Sequence, residues 1–247
     1  MSKTSGLGDQ FLIGGYDLSG EVNALSKISG SMATFDFTPI SKSAYVRSDG
    51  LKDGAIDFTT LFDPATGHSH PVLATLPRTD VICAYLRGGV LGNPACCEVA
   101  KQVDYNPTRA NDGMLSSTVS SVSNGFSIDW GEQLTAGQRT DTVATNGTAV
   151  DYTAATSFGF QAYLQVTAFT GTDVTVKLQD SADNVTFADL ASGAFTQTTA
   201  AHTTQRIAVG GTATVRRYVR AATVTTGGFT SVSFSVVFVK NTFARLF

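Results

Sequence analysis

Alternation of apolar and polar residues dominates the second half of the chain and predicts β-strands. In Val174–Leu178 every second residue is apolar, which is the period of two that a strand with one solvent-facing side produces. Phe229–Lys240 repeats the pattern more strongly, with one uniformly apolar face formed by Val232, Phe234, Val236 and Phe238. Turn-forming residues separate such segments at intervals of roughly 8–12 residues, a spacing that is typical of a β-sandwich or jelly roll. Further strands are predicted at Phe158–Phe169, Val185–Phe187, Arg206–Val209 and Val215–Ala221.

The first half of the chain also favours β-structure, with a less regular pattern. Val81–Leu86 is a nearly continuous apolar run, so we expect a central strand that is buried on both faces. One short helix is predicted over Ser69–Leu76, with Pro71 in its first turn and Pro77 ending it, and Asp17–Ser29 is a candidate for a helical turn. The remaining predicted strands are Ala33–Phe37, Ala55–Thr59, Lys101–Asp104, Met114–Val122 and Phe126–Trp130.

Three Asp-Gly pairs predict tight hairpin turns: Asp49-Gly50, Asp53-Gly54 and Asp112-Gly113. The first two lie in a stretch with three aspartates, Asp49–Asp57, but Lys52 interrupts it and the closing glutamate of a calcium-binding loop is missing. The stretch is therefore predicted to turn and not to bind calcium.

The character of the sequence changes near residue 140. Residues 1–140 hold 14 acidic and 10 basic side chains, whereas residues 141–247 hold 6 acidic and 7 basic ones. Leu134–Thr148 between them is rich in turn residues and predicts a linker or a long exposed loop. We therefore expect an N-terminal domain over residues 1–140 and a C-terminal β-sandwich, Ig-like or jelly-roll, over residues 141–247.

Composition and charge exclude several classes of protein. Charged residues make up 15% of the 247 residues and the formal net charge is -3, so the basic surface of a nucleic-acid-binding protein is missing. No apolar run approaches the roughly 18–20 residues of a membrane-spanning helix. Three cysteines, two of them adjacent at Cys96-Cys97, argue against a disulfide framework.

Candidate catalytic and metal-binding chemistry is sparse. His68 and His70 form the one histidine cluster and could bind a metal, with Asp63 near in sequence, but helix capping by His68 or Ser69 is favoured. The sequence has no G-x-S-x-G elbow and no phosphate-binding loop. Arg216, Arg217 and Arg220 are predicted to form structural pairs. We therefore predict neither catalytic residues nor a cofactor or metal ion.

Several short segments resemble the major tail, or tail tube, proteins of long-tailed phages with non-contractile tails. The resemblance rests on the order of the segments along most of the chain, because none of them is diagnostic alone. In the first half they are Gly14–Gly20, Val22–Leu25, Asp53-Gly54, Leu61–Pro64, His70-Pro71, Leu76-Pro77 with Asp80, and Asn111–Gly113. In the second half, Gly171–Asp183, Arg217–Arg220 and Phe234–Val239 are similar to the β-sandwich appended to many of those proteins.

The resemblance implies a fold, a function and partners. It implies an all-β protein whose N-terminal β-sandwich or barrel carries one short helix and whose C-terminal sandwich decorates the outside of the tail. Subunits would form hexameric rings that stack into a tube, with trimers as an alternative if the two halves were duplicated tube domains. Tape measure, tail terminator and distal tail proteins would be neighbours in the virion, and assembly would take place in the host cytoplasm. Genomic DNA would pass through the acidic lumen without specific binding.

Contacts between subunits are expected at exposed apolar residues near turns and chain ends. Inter-ring candidates are the polar, turn-rich stretch Asp36–Gly54 and the terminal segments Met1–Tyr16 and Thr242–Phe247. The individual residues are Phe11, Leu12, Tyr16, Tyr45, Trp130, Phe243, Leu246 and Phe247. Two alternatives stay open: a capsid or tail decoration or fibre module that binds host-surface carbohydrate, and, less favoured, a hydrolase that uses His68 and His70.

Overall fold

The computed structural model describes residues 5–211 and 213–245, and within them it confirms the predicted all-β class with one short helix. The strands in chain order are β1 (Gln10–Ile13), β2 (Tyr16–Asp17), β3 (Val22–Asp36), β4 (Arg47–Leu61), β5 (Val81–Leu86), β6 (Pro94–Arg109), β7 (Leu115–Ser123), β8 (Asp129–Gln133), β9 (Arg139–Asp141), β10 (Val150–Asp151), β11 (Phe160–Gly171), β12 (Thr175–Ser181), β13 (Ala188–Ala194), β14 (Thr203–Val209), β15 (Tyr218–Val224) and β16 (Phe229–Lys240). The helix α1 spans Ser69–Leu73.

The chain forms two compact units that are interleaved in sequence. The first unit comprises residues up to 20, 82–97 and from 129 onward, and the second comprises residues 21–81 and 98–128. The predicted division at residue 140 stays a prediction, because compactness in space does not determine which segments fold alone.

A β-sandwich forms most of the first unit. One of its sheets has the order β14-β11-β16, with β8 and β9 also paired to β16, and the other has the order β10-β15-β12-β13. The predicted apolar face of β16 is confirmed, since all four of its residues are fully buried in the core between the sheets. Phe238 stacks there on Phe160, with ring centroids 5.2 Å apart. Burial of these apolar faces is the main force that holds the two sheets together.

The opposite face of β11 is also buried, and it carries polar residues that satisfy backbone groups. Gln165 accepts a hydrogen bond from the Gly15 N–H at 2.8 Å and donates one to the Ile82 carbonyl at 2.7 Å. Ile82 belongs to β5, whose residues in the first unit are mostly buried and pair with β1. The predicted central strand at Val81–Leu86 is therefore confirmed.

The second unit is built on an antiparallel sheet in which β4 lies between β3 and β7, and β7 also pairs with residues 100–109 of β6. Ile56, Phe58 and Val119 form its buried apolar layer. The helix α1 is held by the Gln102 side chain, which donates a hydrogen bond to the Leu73 carbonyl at 2.6 Å. The helix is three residues shorter than predicted and ends well before Pro77.

Several local predictions were wrong for identifiable reasons. Asp17–Ser29 forms β2 and the start of β3 and contains no helical turn. Asp49-Gly50 and Asp53-Gly54 lie inside β4, where a Cβ on Gly54 would come within 2.3 Å of the Ser123 hydroxyl oxygen. That glycine therefore permits close packing and does not form a turn. By contrast, Gly113 has a φ of +94° in the turn between β6 and β7, as predicted.

The predicted linker Leu134–Thr148 is not a free loop. Leu134 is buried in the sandwich core, and β9 within the segment pairs with β16. The Arg139 guanidinium forms an ion pair with Asp141 at 2.8 Å and lies over the Phe234 ring. Strand pairing through β9 and one buried leucine thus anchor the segment beside β16.

Glu98 provides a pH-dependent test of the second unit. Its carboxylate is fully buried and accepts hydrogen bonds from Ser121 at 2.9 Å and Ser123 at 2.8 Å. Burial raises its pKa, and Asp53 and Asp57 raise it further. The pKa of Glu98 is therefore higher in the folded chain than in the unfolded chain. At a pH between these two values the folded chain binds more protons, so the free energy of unfolding falls as the pH rises through this window.

We expect Glu98→Gln to raise the urea midpoint at about pH 8, because the amide removes the buried charge and keeps an acceptor. The gain should shrink at about pH 4, where the wild-type carboxyl group is protonated. Urea unfolding at both pH values measures this, with the exposed Asp49→Asn as the matched control. A lower midpoint for Glu98→Gln at about pH 8 would contradict the assignment.

Candidate assembly surface

The outer part of the β3–β4 hairpin, residues 30–53, is the most exposed structure in the second unit, and we call it the arm. The pairing of β4 with β7 begins at Ala55, opposite Val122. From Arg47 to Gly54, within the described residues, β4 pairs with β3 alone. A two-stranded ribbon is only marginally stable in water by itself, and both of its outer edges are open to further pairing.

Large apolar side chains are concentrated on the arm. Phe37 is 65% exposed and Leu51 is 85% exposed. Phe35 and Phe37 lie two residues apart, with ring centroids 6.4 Å from each other. The exposed apolar residues of the arm are Met32, Phe35, Phe37, Ile40, Tyr45, Val46 and Leu51. A cluster of this kind marks an interaction surface, because monomeric proteins rarely expose contiguous apolar side chains.

Hydrogen bonds order the tip of the arm before any partner is bound. Asp36 accepts a hydrogen bond from the Thr38 N–H at 2.9 Å, and the Thr38 hydroxyl oxygen accepts one from the Val46 N–H at 2.8 Å. The hydrogen bonds from the Thr38 side chain and backbone lower the pKa of Asp36. The Arg47 guanidinium lies 4.5 Å from the centroid of the Tyr45 ring. A preformed tip loses less conformational entropy when it docks.

The arm carries no net charge. Its three basic side chains are Lys42, Arg47 and Lys52, and its three acidic ones are Asp36, Asp49 and Asp53. Two copies of the arm therefore have no net electrostatic repulsion to overcome on contact.

The structure separates the predicted contact residues into exposed and buried groups. Tyr45 lies on the arm in the second unit, while Trp130 and Phe243 are about half exposed in the first unit. Phe11 and Leu12 are buried core residues of β1 and present no side-chain surface to another subunit. Their apolar character reflects packing within the first unit.

The chain ends are anchored in ways that the sequence did not indicate. Tyr16 stacks on His202 with ring centroids 3.8 Å apart, and His202 Nδ1 lies 3.0 Å from the Gly15 carbonyl oxygen. Arg245 forms an ion pair with the buried Asp129 at 2.6 Å. The C-terminal segment is thus held through an arginine, and Leu246 and Phe247 lie outside the described residues.

The sequence stretch Asp36–Gly54, predicted as a contact between rings, covers most of the arm. It stood out as polar and turn-rich, and the apolar side chains of Phe37, Ile40, Val46 and Leu51 within it were not counted as a surface. The pattern that could have identified them is several large apolar residues spread through a turn-rich stretch without the alternation of a half-buried strand.

A second surface feature is a groove of about 720 Å³ in the first unit. Aromatic residues on its walls are Trp130, Tyr152 and Phe158, and polar ones include Glu132, Lys240 and Asn241. Burial raises the pKa of Glu132 and lowers the pKa of Lys240. The Tyr152 hydroxyl and the Asn241 Oδ1 are buried without a hydrogen-bond partner among the described residues. Aromatic walls with a few unsatisfied polar groups are typical of small-ligand sites.

Comparisons with known proteins found structural similarity at a low level. No protein-family model matches the sequence, and no curated protein matches it. The structure is similar to a chain of the virion of a native gene transfer agent particle, with a TM-score of 0.41 and 12% identity over 52% of this chain and 98% of that one. It is also similar to the SPP1 Dit protein, described as a hub adsorption apparatus in phages that infect Gram-positive bacteria, with a TM-score of 0.35 and 13% identity over 94% and 99% of the two chains.

A third similar chain belongs to the tail of an empty gene transfer agent particle refined with C6 symmetry, with a TM-score of 0.40, 13% identity, and coverage of 51% of this chain and 96% of that one. Similarity at this level carries no argument about what this chain does.

In the described part of the chain, no helix is long and apolar enough to cross a membrane.

Because only two strands pair with each other in the arm, we expect its backbone hydrogen bonds to open more often than those of the sandwich. We expect backbone amides of residues 30–53 to exchange with deuterium at least tenfold faster than those of β11 and β16 in the unassembled chain, because a two-stranded ribbon opens locally at little cost. Hydrogen–deuterium exchange followed by mass spectrometry measures this. Equal protection of the arm and of the sandwich strands would contradict the account.

Proposed function

We propose that this protein is a structural component of a phage tail that assembles with copies of itself through the arm. The observation that carries the proposal is the arm itself, a preformed two-stranded ribbon with open edges, exposed apolar side chains and no net charge. In the family that the sequence resembles, a long loop joins one ring of subunits to the next. The arm has the length and the surface that such a contact requires.

In its finer form, the proposal is a hexameric ring that stacks into a tail tube and conducts DNA. Residues 1–140 carry a net acidic balance, and an acidic wall repels phosphates so that DNA slides through without binding. Within this proposal residues 141–247 form the outer, decoration-like domain, and other tail proteins meet the tube at its ends. The protein acts by packing and by electrostatic repulsion and needs no catalytic residue.

Removing the apolar side chains at the arm tip tests this function directly. We expect the double variant Phe35→Ser, Phe37→Ser to require at least tenfold higher concentration to assemble, since tenfold corresponds to about 1.4 kcal/mol and each buried phenylalanine contributes about 1.5–3 kcal/mol. Sedimentation velocity across a concentration series measures the shift. Circular dichroism checks that the variant is folded.

The matched control is Val143→Ser, Val185→Ser, which removes two exposed apolar side chains from the first unit. It should assemble at the wild-type concentration. Unchanged assembly of the arm variant, or an equal loss in the control, would overturn the role of the arm.

A second candidate function is carbohydrate binding by a decoration or fibre module, and the groove beside Trp130 favours it. An exposed indole can stack on a sugar ring, and the buried acceptors and the Tyr152 hydroxyl could pair with sugar hydroxyls. On an array of oligosaccharides, this function predicts binding that Trp130→Ala reduces at least tenfold and that Val185→Ser leaves unchanged. No binding by the wild-type chain would remove this candidate and leave the assembly proposal intact.

A further inference from the structure

A histidine and two carboxylates converge at the base of the β3–β4 hairpin. His68 Nδ1 lies 2.6 Å from Glu21 Oε1 and 3.2 Å from Asp63 Oδ2. All three ligand atoms lie within 4.8 Å of one another. We infer that Glu21, Asp63 and His68 form a binding site for a divalent transition-metal ion of the zinc class, which would clamp the base of the arm.

The Asp63 contact has the spacing of two ligands of one ion, and the Glu21 contact has the length of a hydrogen bond. A single N–H at Nδ1 can be donated well to one carboxylate, yet both Glu21 and Asp63 point an oxygen at this atom. Ligands bound at about 2.1 Å in a tetrahedral or octahedral site lie roughly 3.0–3.4 Å apart. A small outward shift of the Glu21 oxygen would therefore bring both contacts into the range of metal ligands.

An independent observation concerns the second carboxylate oxygen of Glu21. The Glu21 side chain is only 13% exposed, and its Oε2 is buried without a hydrogen-bond partner among the described residues. A buried carboxylate oxygen that lacks a partner is costly. A cation at this site would satisfy it, either by bidentate ligation or by electrostatic attraction.

The surrounding loop holds the ligands in place without a metal. The Ser69 hydroxyl donates a hydrogen bond to the Leu61 carbonyl at 2.6 Å and accepts one from the Asp63 N–H at 3.0 Å. The Leu61 N–H donates to the Glu21 carbonyl at 2.8 Å, which joins the two ends of the hairpin. Preorganised ligands lose less entropy when the ion binds.

The donor set selects the class of metal. One imidazole and two carboxylates suit zinc or manganese, and zinc binds more tightly of the two in a given N/O site. Calcium and magnesium prefer sites made of oxygen ligands alone. His68 and Asp63 are 46% and 37% exposed, so water can fill the remaining coordination positions.

The position of the site gives it a structural role. Glu21 directly precedes β3, while Asp63 and His68 follow β4. An ion bound to all three residues would close the hairpin at its base and restrict the motion of the strands that extend into the arm. Such a clamp stabilises the folded chain by binding that state alone.

The test uses the full chain after treatment with EDTA and then with a reducing agent to keep the cysteines as thiols. Saturating Zn²⁺ should raise the melting temperature by roughly 5–10 °C, and Ca²⁺ and Mg²⁺ should leave it unchanged. Glu21→Gln and His68→Ala should each lose the shift, and the control Asp49→Asn should keep it. Isothermal titration should give one Zn²⁺ per chain.

Two further measurements keep the test decisive if a variant folds poorly. Co²⁺ bound to the wild-type chain should show d–d bands without a thiolate charge-transfer band, because the ligands are nitrogen and oxygen. Zn²⁺ should also move the NMR signals of the His68 ring nitrogens while those of His202 stay in place. No thermal shift in the wild-type chain, an unchanged shift in Glu21→Gln, or a thiolate band would overturn the site, and none of these outcomes bears on assembly through the arm.

Discussion

β4 pairs with β7 only as far as the Ala55–Val122 pair. The arm is the part of β3 and β4 that extends beyond this pair. Up to that point the second unit is a multi-stranded antiparallel sheet with a buried apolar layer. Beyond it, β3 and β4 continue as a ribbon that no third strand covers within the described chain. The backbone edges and the apolar side chains of residues 30–53 are left for another surface to cover.

The sandwich of the first unit supplies the stability that the arm lacks. The centre of this unit is the pairing of β11 with β16, whose apolar faces meet the second sheet through fully buried aromatic and aliphatic side chains. On the other face of β11 the buried Gln165 side chain binds the backbone of Gly15, which follows β1, and of Ile82 in β5. A chain that combines such a core with a preformed but weakly supported ribbon is suited to assembly, because docking can cover the open ribbon without disturbing the core.

Strong alternation made β16 predictable, and it matched its predicted span and face, whereas the predicted strand Val185–Phe187 lies just before β13 and outside any strand. The β3–β4 hairpin was harder, since its Asp-Gly pairs favour turns locally while packing against Ser123 requires a strand with glycine at position 54. Tertiary packing overrode the local preference there. Phe11 and Leu12, predicted as subunit contacts, lie in the core of the first unit, because an apolar run at a chain end has the same appearance in a sequence whether it is buried or exposed.

Of the three residues in the proposed metal site, the sequence pointed to His68 and Asp63 but not to Glu21. His68 and Asp63 are neighbours in sequence, but Glu21 is 47 residues away from His68 and joins them only through the antiparallel pairing of β3 and β4. The spacing of His68 and His70 suggested a joint role that the structure does not support, since His70 Nδ1 lies 2.8 Å from the Tyr105 hydroxyl instead. Register in a long hairpin cannot be derived from spacing alone.

Electron cryomicroscopy of the purified chain across a concentration series tests the central claim most directly. The account predicts hollow tubes of stacked six-fold rings, in which residues 30–53 of each subunit contact the next ring. Chains that remain single at every concentration, or tubes whose arms face solvent, would contradict it.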